Sequence, residues 1–188
     1  MKQRFETLSI HGGHTPDPVT HARAVPLHRS TSFTFKDTRH AADVFALREP
    51  GFLYTRLGNP TQEVLESRMT LLEGGAGSLA LASGTSAVFY AVINLAKNGD
   101  EIVAANNLYG GTYTMFDSIL PDFGIRTRLV KPGDLDAFAT AITPATRAIF
   151  IEAIGNPTLE VADIAAFADL AHAHNLPLIV DATFTTPY

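Results

Sequence analysis

Residues 83–86 (Ser-Gly-Thr-Ser) form a polar segment that directly precedes a helical pattern. Free backbone amides, two types of hydroxyl group and the positive end of a helix dipole would suit a phosphate group. The same residues could equally be an ordinary N-cap with a glycine turn. This segment alone therefore leaves phosphate binding and helix capping open.

Three further polar segments come directly after apolar runs. Residues 106–111 place the Tyr109 ring beside flexible backbone, although alone this could be only a half-buried ring. Glu152 and residues 155–158 form a polar turn that could simply start the next helix. Asp181 follows three apolar residues, where a buried carboxylate is costly unless a group pairs with it. A cap or a hydrogen-bonded buried carboxylate remains the alternative for Asp181.

The elements that must position these segments follow a βαβ pattern. Five short apolar runs begin near Ser78, Glu101, Ile125, Ala148 and Leu176. Apolar residues at i, i+3, i+4 and i+7 predict helices within 88–95, 135–142 and 164–171, whereas residues 112–120 are less clear. Because the runs are apolar almost throughout, they are typical of strands covered by helices on both faces. The pattern predicts an α/β fold with a doubly wound, mostly parallel sheet.

The polar segments should meet at one edge of this sheet. In doubly wound sheets, ligands bind outside the carboxyl ends of the strands, and each of the polar segments follows a strand. A phosphate site, an aromatic ring, an amide and a carboxylate together outline a planar, phosphorylated, protonatable ligand. Pyridoxal phosphate is such a ligand, because its ring nitrogen needs an acidic partner.

Residues 1–59 show little periodicity and are rich in turn-forming dipeptides, which predicts an N-terminal arm. A helix is expected to begin after Asn59, whose side chain can accept from the amides of the first turn. Pro60 stands where its missing N–H costs nothing, and Gly74 with Gly75 should end the helix. Residues 60–188 would then belong to the ligand-binding domain.

Composition excludes several classes of protein. The net charge of −5 and the absence of a basic run argue against a nucleic-acid or anionic-membrane partner. With no cysteine, the chain has no disulfide or thiolate chemistry, which suits the cytoplasm. No segment has the length of a signal peptide core or a membrane span. His11 and His14 lack a third ligand, so no metal site is predicted.

Longer motifs add a family resemblance. They are YTRLGNPT (54–61), LEGG (72–75), LASGTSA (81–87), NLYGGTY (107–113) and IVDATFTTPY (179–188). In combination they resemble the cystathionine γ-synthase-like pyridoxal-phosphate enzymes of cysteine and methionine metabolism, over nearly the whole chain. FETLSIHGGHTPDP (5–18), SFTFKDTRHAADVFAL (32–47) and IEAIGNPTLEVADI (151–164) are most similar to O-acetylhomoserine sulfhydrylases.

The resemblance implies a fold-type I pyridoxal-phosphate transferase and gives each site residue a role. Ser83, Gly84 and Thr85 would contact the cofactor phosphate. Tyr109 would stack on the cofactor ring and act in catalysis.

The remaining implied contacts come from both ends of the chain. Asn156 would bind the phenolic oxygen of the cofactor, and Asp181 would pair with its ring nitrogen as a catalytic residue. Thr183 would also bind the cofactor. Tyr54 and Arg56 would reach the phosphate of a neighbouring subunit, which gives the arm a partner surface. Arginine suits such bidentate phosphate contacts.

The sequence also departs from the family pattern. Ala182 stands where asparagine is usual, and Arg29 stands where a neutral residue is common. The family's Schiff-base lysine lies beyond the TTPY motif, and the four lysines of this chain match it nowhere. They are Lys2, Lys36, Lys97 and Lys131. We therefore expect the chain to stop before that lysine and to be inactive alone.

The expected activity of the complete enzyme is O-acetylhomoserine sulfhydrylation, in which sulfide or a thiol replaces acetate and gives homocysteine or methionine. A homotetramer built from dimers that share active sites is expected. The alternatives are a methionine γ-lyase, a cystathionine γ-synthase, or an inactive fragment that serves only as a partial oligomerising domain.

Overall fold

The computed structural model describes residues 3–187, which divide into two compact units. One unit lies within residues 3–80 and the other consists of residues 81–186. Helix α3 (Pro60–Glu73) lies in the first unit, whereas the sequence grouped it with the ligand-binding domain. The domain division at residue 59 stays a prediction.

The first unit contains three helices: α1 (Phe5–His11), α2 (Thr38–Phe45) and α3. The predicted start of α3 is confirmed, because the Asn59 side chain accepts the Thr61 amide at 2.9 Å. The predicted end is confirmed as well, since Gly74 adopts a left-handed conformation with φ of 62°. Asn59 also donates to the His28 carbonyl at 2.8 Å, which ties the arm to the helix.

Helices α1 and α2 were not predicted. Helix α1 has no side-chain cap and buries none of its residues, so neither of the usual signals exists. Helix α2 does carry a signal, because Asp37 accepts the His40 amide at 2.8 Å as an N-cap.

The second unit alternates helices and strands. Its elements are α4 (Gly84–Leu95), β1 (Glu101–Ala105), α5 (Gly110–Thr114), β2 (Arg126–Val130), α6 (Leu135–Ala141), β3 (Thr146–Glu152), α7 (Ile164–Ala173) and β4 (Leu178–Asp181). Helix α5 continues through a π-helical turn, Met115–Ile119, and a 3₁₀ turn, Leu120–Phe123. This irregular geometry explains why residues 112–120 lack a clear helical period.

The four strands form a parallel sheet in the order β2-β1-β3-β4. Every residue of β1 is buried, and successive side chains of a strand point to opposite faces, so both faces are covered. Phe116 packs on Phe150 at 4.9 Å between ring centroids, and Phe138 packs on Phe167 at 4.8 Å. The predicted doubly wound α/β sheet is confirmed, and its winding direction reverses between β1 and β3.

The predicted strand at Ser78 is wrong. Within the described chain, residues 78–83 form no ladder, and side chains of α3 hydrogen-bond to Ser78 and Ala80 instead. The Ala80 amide donates to Glu66 at 2.8 Å, and the Ser78 hydroxyl lies 2.8 Å from that of Thr70. The apolar pattern predicted a buried strand, whereas Leu79 is 71% exposed and Leu81 is 38% exposed, so the burial that such a pattern reports is missing here.

A buried ion cluster lies at the amino end of β1, opposite the polar segments. Glu101 is 2% exposed and accepts two hydrogen bonds from Arg128, at 2.8 and 3.1 Å, and one from Thr143 at 2.8 Å. The Arg128 hydrogen bonds hold the pKa of Glu101 below its ordinary value, although burial opposes this. No helix within residues 3–187 is long and apolar enough to cross a bilayer.

Candidate cofactor-binding site

A cavity of about 330 Å³ lies where the carboxyl ends of β3 and β4 and the loop after β1 meet the start of α4. It is lined by Gly84, Thr85, Val88, Tyr109, Thr112, Glu152, Ile154, Asn156, Asp181, Thr183 and Phe184. The position between β1 and β3 is the switch point at which doubly wound sheets bind ligands. The polar segments that the sequence placed at one edge are therefore brought together by the fold.

The start of α4 combines an N-cap residue with backbone N–H groups that have no hydrogen-bond acceptor among the described residues. Ser83 accepts the Ser86 amide at 3.1 Å, and it is the N-cap residue. The amides of Gly84 and Thr85 meet no acceptor in residues 3–187. A β-carbon on Gly84 would meet no atom within 4 Å, so the space beside it is free. The two interpretations of this segment are thus compatible, because capping leaves amide groups for an anion.

Asp181 presents a carboxylate without a cation. Its Oδ1 accepts the amide of Thr183 at 3.0 Å and the Thr183 hydroxyl at 2.5 Å. No Lys, Arg or His nitrogen of the described residues lies within 4.0 Å of this carboxylate. Thr183 therefore orients Asp181, and the negative charge is left to face the cavity.

Glu152 lies beside Asp181, since the two residues pair in the parallel register of β3 and β4. Glu152 is 7% exposed, and its Oε1 accepts the Tyr109 amide at 2.6 Å. Burial raises the pKa of Glu152, and the charge of Asp181 adds to the rise, against the lowering effect of the Tyr109 amide. Glu152 was not among the predicted site residues, although the same signal, an acidic residue that ends an apolar strand, had identified Asp181.

Tyr109 and Asn156 supply a ring and an amide. The Tyr109 side chain is about half exposed and lines the cavity. The Asn156 backbone amide donates to the Asn107 carbonyl at 3.1 Å, which joins the loops after β1 and β3. The Asn156 side-chain amide has no hydrogen-bond partner within residues 3–187, so it is available to a ligand.

Tyr54 and Arg56 belong to the first unit, and the cavity lining does not include them. Both are exposed, and the Arg56 guanidinium carbon lies 5.7 Å from the centroid of the Tyr54 ring. Their predicted contact with the phosphate of a neighbouring subunit stays a prediction.

The donor set suits pyridoxal phosphate. Free amides and the Thr85 hydroxyl can bind the phosphate, the Tyr109 ring can cover the pyridine ring, and the unpaired Asp181 carboxylate can accept a pyridinium N–H. The cavity volume also lies within the range of small-molecule pockets, roughly 300–1,000 Å³.

Known proteins resemble this chain along its whole length. An O-acetyl-L-homoserine sulfhydrylase of Leptospira meyeri is 48% identical over 183 residues, which are 97% of this chain and 41% of the relative. A solved Campylobacter jejuni protein, assigned as an O-acetylhomoserine (thiol)-lyase and carrying pyridoxyl-lysine phosphate, superposes with a TM-score of 0.94 at 40% identity. That match covers 98% of this chain and 46% of the solved one.

A second solved structure widens the range of activities. The cystathionine γ-lyase of Lactobacillus plantarum superposes with a TM-score of 0.89 at 39% identity, over 99% of this chain and 46% of the other. The chain thus spans less than half the length of each of these proteins. The family model of Cys/Met metabolism PLP-dependent enzymes matches residues 6–188. The chain therefore belongs to the pyridoxal-phosphate-dependent enzymes of cysteine and methionine metabolism, as its motifs and its cavity had indicated.

Proposed function

We propose that the complete protein is an O-acetylhomoserine sulfhydrylase that replaces the acetate of its substrate by sulfide or a thiol. One observation carries the proposal: the uncompensated Asp181 carboxylate and the free amides of Gly84 and Thr85 face one cavity. The choice of substrate is supported by the Leptospira meyeri sulfhydrylase, at 48% identity.

Backbone amides and side chains of this chain together prepare the site for the cofactor. The Gly84 and Thr85 amides bind its phosphate, and the α4 dipole adds to that attraction. Tyr109 covers one face of the ring and excludes water there. Asn156 donates to the ring oxygen. When bound, the cofactor withdraws the electrons that remain after the substrate loses its α-proton.

Asp181 determines how well this withdrawal works. Its carboxylate accepts the ring N–H and so holds the proton on that nitrogen, which keeps the ring cationic. Thr183 contributes by fixing the carboxylate through its amide and hydroxyl. Both Asp181 and Tyr109 therefore act on the reacting group, as the family resemblance implies.

The assembly and location belong to the same proposal. The complete enzyme is a cytoplasmic homotetramer built from dimers, in which the arm, residues 1–59, brings Tyr54 and Arg56 to the phosphate of the neighbouring subunit. Residues 60–188 form the amino-terminal part of the cofactor-binding domain. The exposed Arg56 side chain fits this role, because a guanidinium can make a bidentate phosphate contact.

A γ-lyase is the second candidate, and the likeness to the Lactobacillus plantarum cystathionine γ-lyase favours it. The two activities differ in the fate of the substrate after its γ-substituent leaves. The complete gene product should be assayed with O-acetylhomoserine plus sulfide and, separately, with cystathionine and with methionine. Homocysteine from the first mixture supports the sulfhydrylase, whereas α-keto acid from the others, without homocysteine from the first, supports the lyase.

Asp181→Asn tests the site itself. Because asparagine keeps the shape but no longer favours a protonated ring nitrogen, turnover should fall by orders of magnitude while the protein stays folded. Asp163→Asn is the matched control, since Asp163 caps α7 and asparagine caps equally well. If Asp181→Asn instead loses about 1–3 kcal/mol of stability and exchanges the substrate α-proton at the normal rate, Asp181 is structural and the proposal fails.

A further inference from the structure

The Tyr109 ring is weakly held by its own contacts. It is 53% exposed, and its hydroxyl makes no hydrogen bond within residues 3–187. The helix that follows, α5, lacks a side-chain cap and passes into a π-helical turn after five residues. A ring that must lie flat on a ligand needs support from neighbours, because an exposed side chain otherwise samples other rotamers.

The backbone of Tyr109 is fixed from another element. Glu152, at the end of β3, accepts the Tyr109 amide at 2.6 Å although the two residues are 43 positions apart. Glu152 is 7% exposed, so water scarcely competes for this hydrogen bond. The contact therefore joins the loop after β1 to the rigid end of the neighbouring strand.

The ring itself lies across Gly111. A β-carbon on Gly111 would stand 2.6 Å from Tyr109 Cε1, 3.3 Å from Cδ1 and 3.4 Å from Cζ. The ring therefore occupies volume that any side chain at position 111 would need.

We propose that Glu152 and Gly111 are positioning residues for Tyr109: Glu152 fixes its backbone through the amide, and Gly111 leaves the space in which its ring lies over the cavity. The inference rests on the proposed function, in which this ring covers the cofactor. It predicts that the ring can be displaced without touching a residue that contacts the cofactor phosphate or ring nitrogen.

Gly111→Ala is the direct test, and Gly77→Ala is its control, because a β-carbon on Gly77 meets nothing within 4 Å. The alanine at 111 should push the ring into solvent, because a side chain yields more easily than backbone. The ¹³C signals of the Tyr109 ring, assigned with Tyr109→Phe, should shift in cofactor-free Gly111→Ala and stay unchanged in Gly77→Ala. Pyridoxal phosphate affinity should fall about three- to tenfold in Gly111→Ala only, the size of one ring contact.

Glu152 is tested with two substitutions. Glu152→Gln keeps an acceptor oxygen for the Tyr109 amide and should preserve both the ring signals and the cofactor affinity. Glu152→Leu removes the acceptor and should reproduce the shift and the affinity loss of Gly111→Ala. A purely structural glutamate would instead give a lower melting temperature in both variants, with unshifted ring signals in whichever variant folds.

The outcomes separate the inference from the proposed function. Identical ring signals in Gly111→Ala and wild type overturn the inference, whatever the cofactor affinity. If the ring moves as expected but Tyr109→Ala leaves cofactor affinity unchanged, the positioning is correct and the proposed stacking is wrong. If Glu152→Leu does not fold, the ring signals of Gly111→Ala still test whether the ring is positioned as proposed.

Discussion

Two carboxylates of the second unit, Glu101 and Asp181, show how partners distinguish a structural group from a functional one. Glu101 has Arg128 and Arg126 beside it, and its charge is compensated within the protein. Asp181 receives two hydrogen bonds from Thr183 and meets no cation in the described chain. A buried or half-buried charge without a partner is costly, so its presence in a cavity indicates a ligand.

The pH dependence of stability should follow Glu101. The pKa of Glu101 is lowered in the folded protein, so its contribution is present above the ordinary value of 4.5 and is lost as pH falls through the folded value. Thermal unfolding between pH 3 and about 6 should therefore show less acid sensitivity in Glu101→Gln than in wild type. An unchanged acid limb in Glu101→Gln would show that other carboxylates govern acid unfolding.

The raised pKa of Glu152 acts with the opposite sign. Its protonated form is favoured by folding, so its contribution is present below 4.5 and is lost as pH rises through the folded value. In the same pH series, Glu152→Gln should therefore remove a loss of stability that wild type shows as pH rises, the opposite change to that in Glu101→Gln.

At the scale of elements, apolar periodicity predicted the helices and strands that pack in the core, but it did not predict segments and contacts that depend on hydrogen bonds. Helices α4, α6 and α7 and strands β1, β3 and β4 follow the apolar pattern, because their apolar residues pack into the core. Strand β2 departs from it, since Arg126 and Arg128 stand among its residues. The segment at Ser78 has the same apolar pattern but bonds to α3 side chains. The Tyr109–Glu152 contact was equally hidden, since the sequence gives no spacing rule for residues from separate strands.

The loops after β1 and β3 approach each other at Gly155. A β-carbon there would overlap the Asn107 side-chain amide and stand 3.0 Å from the Asn107 carbonyl oxygen. Gly155→Ala should therefore separate the loops and displace Asn156, at a cost of about 1–3 kcal/mol of stability. Gly77→Ala is the control, because a β-carbon on Gly77 meets nothing within 4 Å. Urea unfolding of both variants measures this cost. Equal stability of Gly155→Ala and Gly77→Ala would contradict the prediction.

At the scale of the whole molecule, the proposed contact between Arg56 and the phosphate of a neighbouring subunit can be tested by substitution. Arg56→Ala in the complete protein should weaken cofactor retention about ten- to a hundredfold, since one charge-assisted phosphate contact is lost. The melting temperature of the cofactor-free protein should change little, because Arg56 is exposed. Arg56→Lys keeps the charge but not the planar guanidinium, so its cofactor affinity should lie between those of wild type and Arg56→Ala. Equal cofactor affinity in all three proteins would refute the role of Arg56.

The 188-residue chain should bind pyridoxal phosphate without a covalent link. Among the described residues, no lysine lines the cavity. Borohydride treatment of the chain mixed with cofactor should therefore leave no single lysine selectively modified, as peptide mass mapping can establish. Stable yellow protein after dialysis, with one lysine modified after reduction, is the opposite result.

The parallel sheet order also determines when the site can form during folding. Each ladder joins strands that are separated in the chain by at least one helix, and no hairpin connects two strands within residues 3–187. Contacts of this kind form slowly, because a long loop must close before the ladder gives any stability in return. The Tyr109 amide reaches Glu152 across 43 positions, so the cavity wall forms only after β1 and β3 have met. A chain with native helix content can therefore still lack its binding site, and recovery of ligand binding should lag behind recovery of helical structure.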